Sequence, residues 1–403
     1  MTDPLLKWRD EFPILASTTY LISNSLGAMP RGVYDKLREF ADTWATLGVR
    51  AWGQPFEGNP TWWEVKGAVG DKIAPLMGAP KGSVLVHENA SIANAILISA
   101  LDWSDTRRSK VIVSDMDFPS DVYSIQRLLP AHVSLQIIDT RDGITLPIDE
   151  LLDAIDESTR LVSLSHVLFR SAYIVPAKQI IERAHAVGAQ VLLNGYHSVG
   201  IIPVDVTGLN VDYYIGGTLK WMCGGPGGVF MYVRPDLLTA LQPKITGWFA
   251  HQAPFAFDVD HFALREDSYR LANGTPAIAA LYSIQPGVDV ITQVGVDQIR
   301  AKSLRQTQMI LDLADAAGYE TKTPRDPEFR AGTVTVNPPH AYEVSRELLA
   351  TGFIIDFRAN AGIRVAPHFY NSDEEVRACM AAIGEILGSG AWQKHAQGRE
   401  FVT

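Results

Sequence analysis

The residue of greatest chemical consequence in the chain is Lys220, in the stretch YYIGGTLKWMCGGPGG. A lysine set directly after an apolar, strand-like run and before a glycine-rich loop sits where burial lowers its pKa. Its amine is then free to form a Schiff base with an aldehyde. The plainer alternative is a solvated loop lysine. Upstream, VLLNGYHSVG ends a strand-like run on Asn194 and presents His197 on the following turn, although a lone strand-end asparagine also serves as an ordinary helix cap. In DMDFPSDVYS, Phe118 stands at a strand end. Its ring either packs in the core or lies against a flat ligand, where stacking contributes about 0.5 to 1.5 kcal/mol beyond area burial. In HENASIANAIL a polar turn opens an apolar helix. The backbone N–H groups of Ala90, Ser91 and Ile92 form an anion site there that suits a phosphate, unless the turn is only a cap.

These residues need a scaffold that brings strand ends together. The runs SVLVHE, KVIVSDMD, VSLQIID, RLVSLSH and AQVLLNG alternate with helical patterns such as NAILISALDW, LPIDELLDAID and AKQIIERAHAVG. That alternation predicts an α/β domain with a mostly parallel sheet covered on both faces. Ligands of such sheets sit at the carboxyl ends of the strands, where Phe118, Asn194 and Lys220 fall. A helical stretch broken around Gln285 to Gly287 follows, then GTVTVN, AYEVSRELLATG, FIIDFR, GIRVAPHFYN and SDEEVRACMAAIGEIL, which read as a small α+β domain. We expect an N-terminal arm over 1–49 that adds to the small domain and to a dimer, a large domain over 50–275, and an interdomain helix with a small domain over 276–403.

With 403 residues, 47% of them hydrophobic and 20% charged, the chain has the composition of a soluble enzyme. A net charge of −10 and no basic run argue against a nucleic-acid partner. The two cysteines, Cys223 and Cys379, lie far apart, which excludes a disulfide scaffold and a cysteine zinc site, and no metal is expected. No apolar segment suggests a signal or a membrane span, so the expected location is the cytoplasm.

Taken in order, the motifs resemble the class V branch of fold-type-I pyridoxal-phosphate enzymes, and kynureninase most of all. YLISNSLGAMPR is similar to that family's N-terminal GNSLG element and FPSD to its ring-stacking loop. HSVGIIPVDVTGLNVDYYIGGTLKWMCGGPGG resembles the block around its cofactor-binding lysine, and GIRVAPHFYNS its carboxylate-binding arginine motif. The resemblance implies pyridoxal 5′-phosphate held by Lys220 as a Schiff base, Phe118 stacked on the ring and His197 beside it. Thr218 and the Ala90–Ile92 turn would bind the phosphate. Arg364 would take the α-carboxylate of an amino-acid substrate through its forked guanidinium. Asn273 and Thr275 fall where the family uses a loop from the neighbouring subunit, which implies a homodimer with shared active sites. Trp248, in GWFAHQ, is expected with Trp52, Trp62, Trp63 and Phe56 around the substrate entrance.

Two positions depart from the family pattern. Leu219 stands where a Tyr or His commonly precedes the lysine. Asn194 stands where the family places an aspartate that pairs with the protonated pyridine nitrogen. A carboxylate there typically shifts that pKa by about 1 to 3 units, and an amide supplies no such charge. Asp121, the last residue of FPSD, is the candidate to replace it; an engineered substitution or natural drift at Asn194 is the plainer account.

The resemblance points to lyase-type loss of a β-substituent from an S-substituted cysteine or another bulky L-amino acid. Decarboxylation-coupled oxidation of such a conjugate, transamination and epimerisation are alternatives, as is a catalytically silent binding protein. Kynureninase activity itself is disfavoured, because VRAWGQPFEGNPTWWEV holds no histidine to recognise an aryl group. A persulfide relay is disfavoured too, with Cys223 three residues past Lys220 and Cys379 expected on a surface helix.

Overall fold

The computed structural model describes residues 3–396. Its first strand, β1 (Thr19–Tyr20), belongs to the N-terminal arm, which continues into helix α1 (Gly32–Leu47) and then α2 (Val65–Ile73). The large sheet is built from β2 (Val84–His87), β3 (Lys110–Ser114), β4 (Ser134–Ile138), β5 (Thr159–Ser165), β6 (Gln190–Asn194), β7 (Tyr213–Gly217) and β8 (Val229–Val233). Its order is β2-β8-β7-β6-β5-β3-β4. The five strands from β7 to β4 pair in parallel, while β8 runs antiparallel to both β7 and β2. The apolar runs VIV in β3 and VLL in β6, and LVSL in β5 with its one buried serine, are buried because helices cover both faces. The expected mostly parallel seven-stranded sheet is present.

Helix α3 (Ala90–Ala100) follows β2 and α4 (Pro119–Leu128) follows β3, so both helices start at the carboxyl edge of the sheet. The carboxyl ends of β3, β5, β6 and β7 lie along that edge too. Strand direction and order therefore bring residues far apart in sequence into one crevice.

The C-terminal unit holds β9 (Glu320–Thr321), β10 (Val334–Asn337), β11 (Phe353–Ile354), β12 (Asp356–Arg358) and β13 (Gly362–Val365). Four of these form an antiparallel sheet in the order β12-β13-β10-β9. FIIDFR, read from sequence as one strand, divides: β11 leaves this sheet to pair in parallel with β1, and only Asp356–Arg358 joins β13. The N-terminal arm is thereby stitched to the C-terminal unit, and Arg9 adds a two-pronged ion pair to Glu375 with both contacts at 2.8 Å. The long helical stretch breaks before Gln285, as expected from Pro286, and again at Gly295, whose φ of 84° ends the helix Gln285–Val294. Among the described residues no helix is long and apolar enough to cross a membrane.

Candidate active site

A cavity of about 380 Å³ opens at the carboxyl edge of the large sheet, with Lys220 in its wall. The lysine's loop is held by a close approach from the N-terminal arm. Gly27 donates its N–H to the Leu219 carbonyl at 2.8 Å, and a Cβ at Gly27 would stand 2.2 Å from the Lys220 carbonyl oxygen. No side chain fits there.

The Lys220 amine lies 2.5 Å from Nε2 of His197, 5.7 Å from the Phe118 ring centroid and 5.3 Å from that of Tyr196. Burial, followed by the guanidinium groups of Arg364 and Arg358, pulls its pKa down to about 7. Burial, followed by the charge of Lys220 and then of Arg364 and Arg358, holds His197 well below its ordinary value, so its imidazole is neutral and accepts a hydrogen bond. Roughly half of the lysine is thus unprotonated at neutral pH, against about one part in three thousand for an ordinary lysine. The rate at which the protein captures an aldehyde should rise with pH and level off near 7 instead of climbing to 10. Stopped-flow absorbance after mixing with pyridoxal phosphate between pH 5.5 and 9 measures this, and a rate still climbing tenfold per unit above pH 8 contradicts it.

Phe118 is positioned by the residue before it. Asp117 accepts from the N–H and hydroxyl of Ser114 at 2.8 and 2.9 Å and from the Ser165 N–H at 2.6 Å, fixing the loop after β3 against the end of β5. The Phe118 ring meets Phe169 edge-on at 5.4 Å but remains 45% exposed, leaving a bare aromatic face toward the cavity.

The polar floor joins three elements. Asp121, in the first turn of α4, accepts from Nδ2 of Asn194 at 2.5 Å and from Nδ2 of Asn94 at 2.8 Å. The other end of the Asn194 amide accepts from the Tyr196 N–H at 2.9 Å. Burial pushes the Asp121 carboxyl up to about 6, Asp117 adds to the rise, and the two amides and Lys220 oppose it. The strand-end amide therefore orients a carboxylate that arrives from the neighbouring element.

On the small-domain side Arg364 is buried at 2% exposure. Its Nε donates to Asp356 at 2.8 Å, one terminal nitrogen pairs with the same carboxylate, and the other donates to the Phe169 carbonyl at 2.8 Å. Arg358 pairs with Asp356 at 3.0 Å and also lines the cavity. The side-on prong of Arg364, read from sequence as free for a ligand, is thus occupied by Asp356.

The structure brings Lys220, Asn194, His197, Phe118, Asp121, Ala90, Ser91 and Arg364 into one cavity. Ile92 is outside its lining and gives its N–H to the Asn89 cap at 3.0 Å. Thr218 is buried, with its hydroxyl donated to the Gly228 carbonyl at 3.1 Å. Trp248, Asn273 and Thr275 also lie outside the lining. Trp248 edges a second hollow bounded by Phe257, Val259 and Phe262, and stacks edge-on against Trp63 at 5.1 Å. Trp52 and Trp62 pack edge-on at 5.6 Å within the cores and do not form an entrance to this cavity. Tyr196, Arg358, Asn94 and Asn24 were not singled out from sequence. An asparagine in the mostly apolar helix α3 was the available signal for Asn94.

Cys379 is not on the surface: it is fully buried, and burial pushes its thiol up to about 12. Cys223 is buried as well and its thiol is raised. Neither cysteine offers an exposed thiolate.

Residues 19–382 match the family model described as Aminotransferase class-V. The chain belongs to that family. As a class V member it is a pyridoxal-phosphate-dependent enzyme of kynureninase-like sequence, as its motifs led us to expect. It is 29% identical to a kynureninase of Geobacillus thermodenitrificans and 31% identical to one of Burkholderia pseudomallei, over all of this chain and 96% of each relative. Among solved structures, a cysteine desulfurase of Thermococcus onnurineus superposes with a TM-score of 0.85 at 20% identity, over 96% of this chain and 99% of that one. The cystine C–S lyase C-DES, in complex with its product cysteine persulfide, superposes with a TM-score of 0.80 at 19% identity, over 93% and 99%. At these identities the solved structures establish the class V fold, large sheet and small domain together.

Proposed function

We propose that this class V enzyme cleaves a β-substituent from a bulky or S-substituted L-amino acid, using pyridoxal phosphate seated on Lys220. The observation that carries this reading is a depressed-pKa amine set between two aromatic rings, across one cavity from a buried arginine. The cavity fits the cofactor. The bare face of Phe118 suits its ring, the carboxylate of Asp121 suits its ring nitrogen, and the N–H groups of Ala90 and Ser91 at the start of α3 suit its phosphate. When bound, the cofactor supplies an electron sink for charge developing at the substrate Cα.

The chain's own residues supply the rest. Lys220, about half unprotonated at pH 7 and hydrogen-bonded to neutral His197, serves in its unprotonated form as the base at the Cα proton. The end-on edge of Arg364 receives the α-carboxylate. Asp121 provides the negative charge that Asn194 lacks, with Asn194 and Asn94 holding its two oxygens.

We further propose a homodimer in which Asn273, Thr275 and Trp248 reach the partner's cavity. Support comes from Thr275, which is exposed, and from the apolar band of Phe257, Val259 and Phe262, 71%, 93% and 53% exposed.

A panel of L-cysteine conjugates, aromatic amino acids and L-kynurenine tests the reaction, with released thiol, ammonia, pyruvate, carbon dioxide and peroxide measured. Thiol with pyruvate and ammonia supports the proposal. Carbon dioxide with peroxide favours the oxidative alternative, and no turnover with no cofactor absorbance favours a silent protein. Cleavage of L-kynurenine is the second reading, favoured by the kynureninase relatives.

The Asp121 assignment has its own test. Asp121→Asn is expected to lower the protonation pKa of the bound cofactor by about 1 to 3 units, and Asn194→Asp to raise it. Absorbance of the bound cofactor against pH reads both. An unchanged titration in Asp121→Asn removes Asp121 from the ring-nitrogen role.

A further inference from the structure

We propose that Asn24 binds the substrate carboxylate, its side-chain amide donating to the oxygen atoms that Arg364 leaves unsatisfied. The proposal rests on the reading of the cavity as an amino-acid site and adds a residue to it.

Asn24 belongs to the SNSLG segment of the N-terminal arm, which is fastened on both sides of the cavity. Toward the small domain, Ser23 donates its N–H to the Ala366 carbonyl at 3.4 Å and pairs its hydroxyl with that of Tyr370 at 2.7 Å. Nδ2 of Asn371 donates to the Tyr20 carbonyl at 3.1 Å. Toward the lysine loop, Gly27 is bonded to Leu219. Asn24 is therefore held between the unit that carries Arg364 and the loop that carries Lys220.

Asn24 is completely buried and lines the cavity, yet neither its amide nitrogen nor its amide oxygen has a partner among the described residues. Buried polar groups in this condition are uncommon and call for an explanation. Its neighbours Ser23 and Asn371 are both bonded, so poor local packing is not the reason.

The chemistry of Arg364 identifies the missing partner. A guanidinium has five N–H donors, and three of these are committed to Asp356 and the Phe169 carbonyl, which leaves two. An ionised carboxylate accepts about four hydrogen bonds, so two of its lone-pair sites need donors from elsewhere in the wall. The charge is already balanced: two guanidinium groups and one carboxylate, Arg358, Arg364 and Asp356, sum to +1 and match one bound carboxylate. A neutral donor completes the site without adding charge, and the Asn24 amide is one.

The test uses holoenzyme prepared with pyridoxal phosphate, titrated with L-alanine and with 1-aminopropane while the absorbance of the bound cofactor is followed. Asn24→Ala is expected to weaken L-alanine about ten- to a hundredfold, the range for losing a hydrogen bond to a charged group, and to leave 1-aminopropane unchanged. Asn24→Ser keeps a small polar side chain if the alanine variant fails to fold, and should weaken L-alanine in the same direction. Asn24→Asp should weaken it further through like charge. Equal L-alanine affinity in wild type and variant overturns the proposal, and so does equal weakening of both ligands, which places the amide on the cofactor. A wild-type holoenzyme whose spectrum answers to neither ligand overturns the amino-acid reading and this inference together. A response in wild type that Asn24 variants share overturns this inference alone.

Discussion

Lys220→Ala is expected to abolish covalent capture of pyridoxal phosphate and to lower turnover by at least about a thousandfold. Among the described residues the lysine is the one amine in the cavity lining, and its contribution as proton carrier alone is typically about 10²–10⁴. Loss of the covalent link adds to this, because the aldehyde is then held only by stacking and by phosphate contacts. Removing a partly buried amine that costs solvation should not destabilise the fold. Borohydride reduction followed by peptide mass analysis gives the direct readout: a pyridoxyl group on Lys220 in wild type and none in the variant. Recovery of that group on another lysine in wild type would sink the assignment, whatever the kinetics.

Asp356→Ala is expected to be the most destabilising substitution in the site. Asp356 is fully buried and receives both Arg364 and Arg358, so its removal leaves two guanidinium groups facing each other in a low-dielectric wall. Breaking a buried ion pair by removing one partner costs about 3–5 kcal/mol. Arg358→Ala should cost less, since Arg358 is the more exposed of the two and Asp356 keeps Arg364. Denaturant unfolding of the three proteins with one common slope gives the comparison. A loss below about 1 kcal/mol for Asp356→Ala would show that the arginines find other partners. The same variant should raise the Lys220 charge problem, because Asp356 is among the groups that moderate the arginines' effect on the lysine. Its aldehyde-capture profile is expected to level off at lower pH than that of wild type.

The assembled site accounts for Asn194 in a way the single stretch NGYH does not. An asparagine at a strand end looks like a lost charge when only its own strand is considered. In the folded chain its amide grips Asp121 of α4, and Asn94 of α3 grips the other oxygen of the same carboxylate. The charge at that edge of the cavity belongs to a different element.

Lys220, His197 and Phe118 were legible because each sits just past an apolar strand in a local pattern, and strand-end position in a parallel sheet is itself a statement about the crevice. The alternation of strand and helix likewise determined the large sheet, since backbone hydrogen bonding and two-sided burial leave few other arrangements for such runs. Only the tertiary structure decided the polar partnerships. Asp356 faces Arg364 because a turn over residues 359–361 folds β13 back antiparallel on β12, and Asn24 enters the cavity because β1 crosses to β11. Hydrogen bonds and ion pairs between distant segments depend on register and approach to within about 3 Å, and sequence periodicity carries no information at that scale.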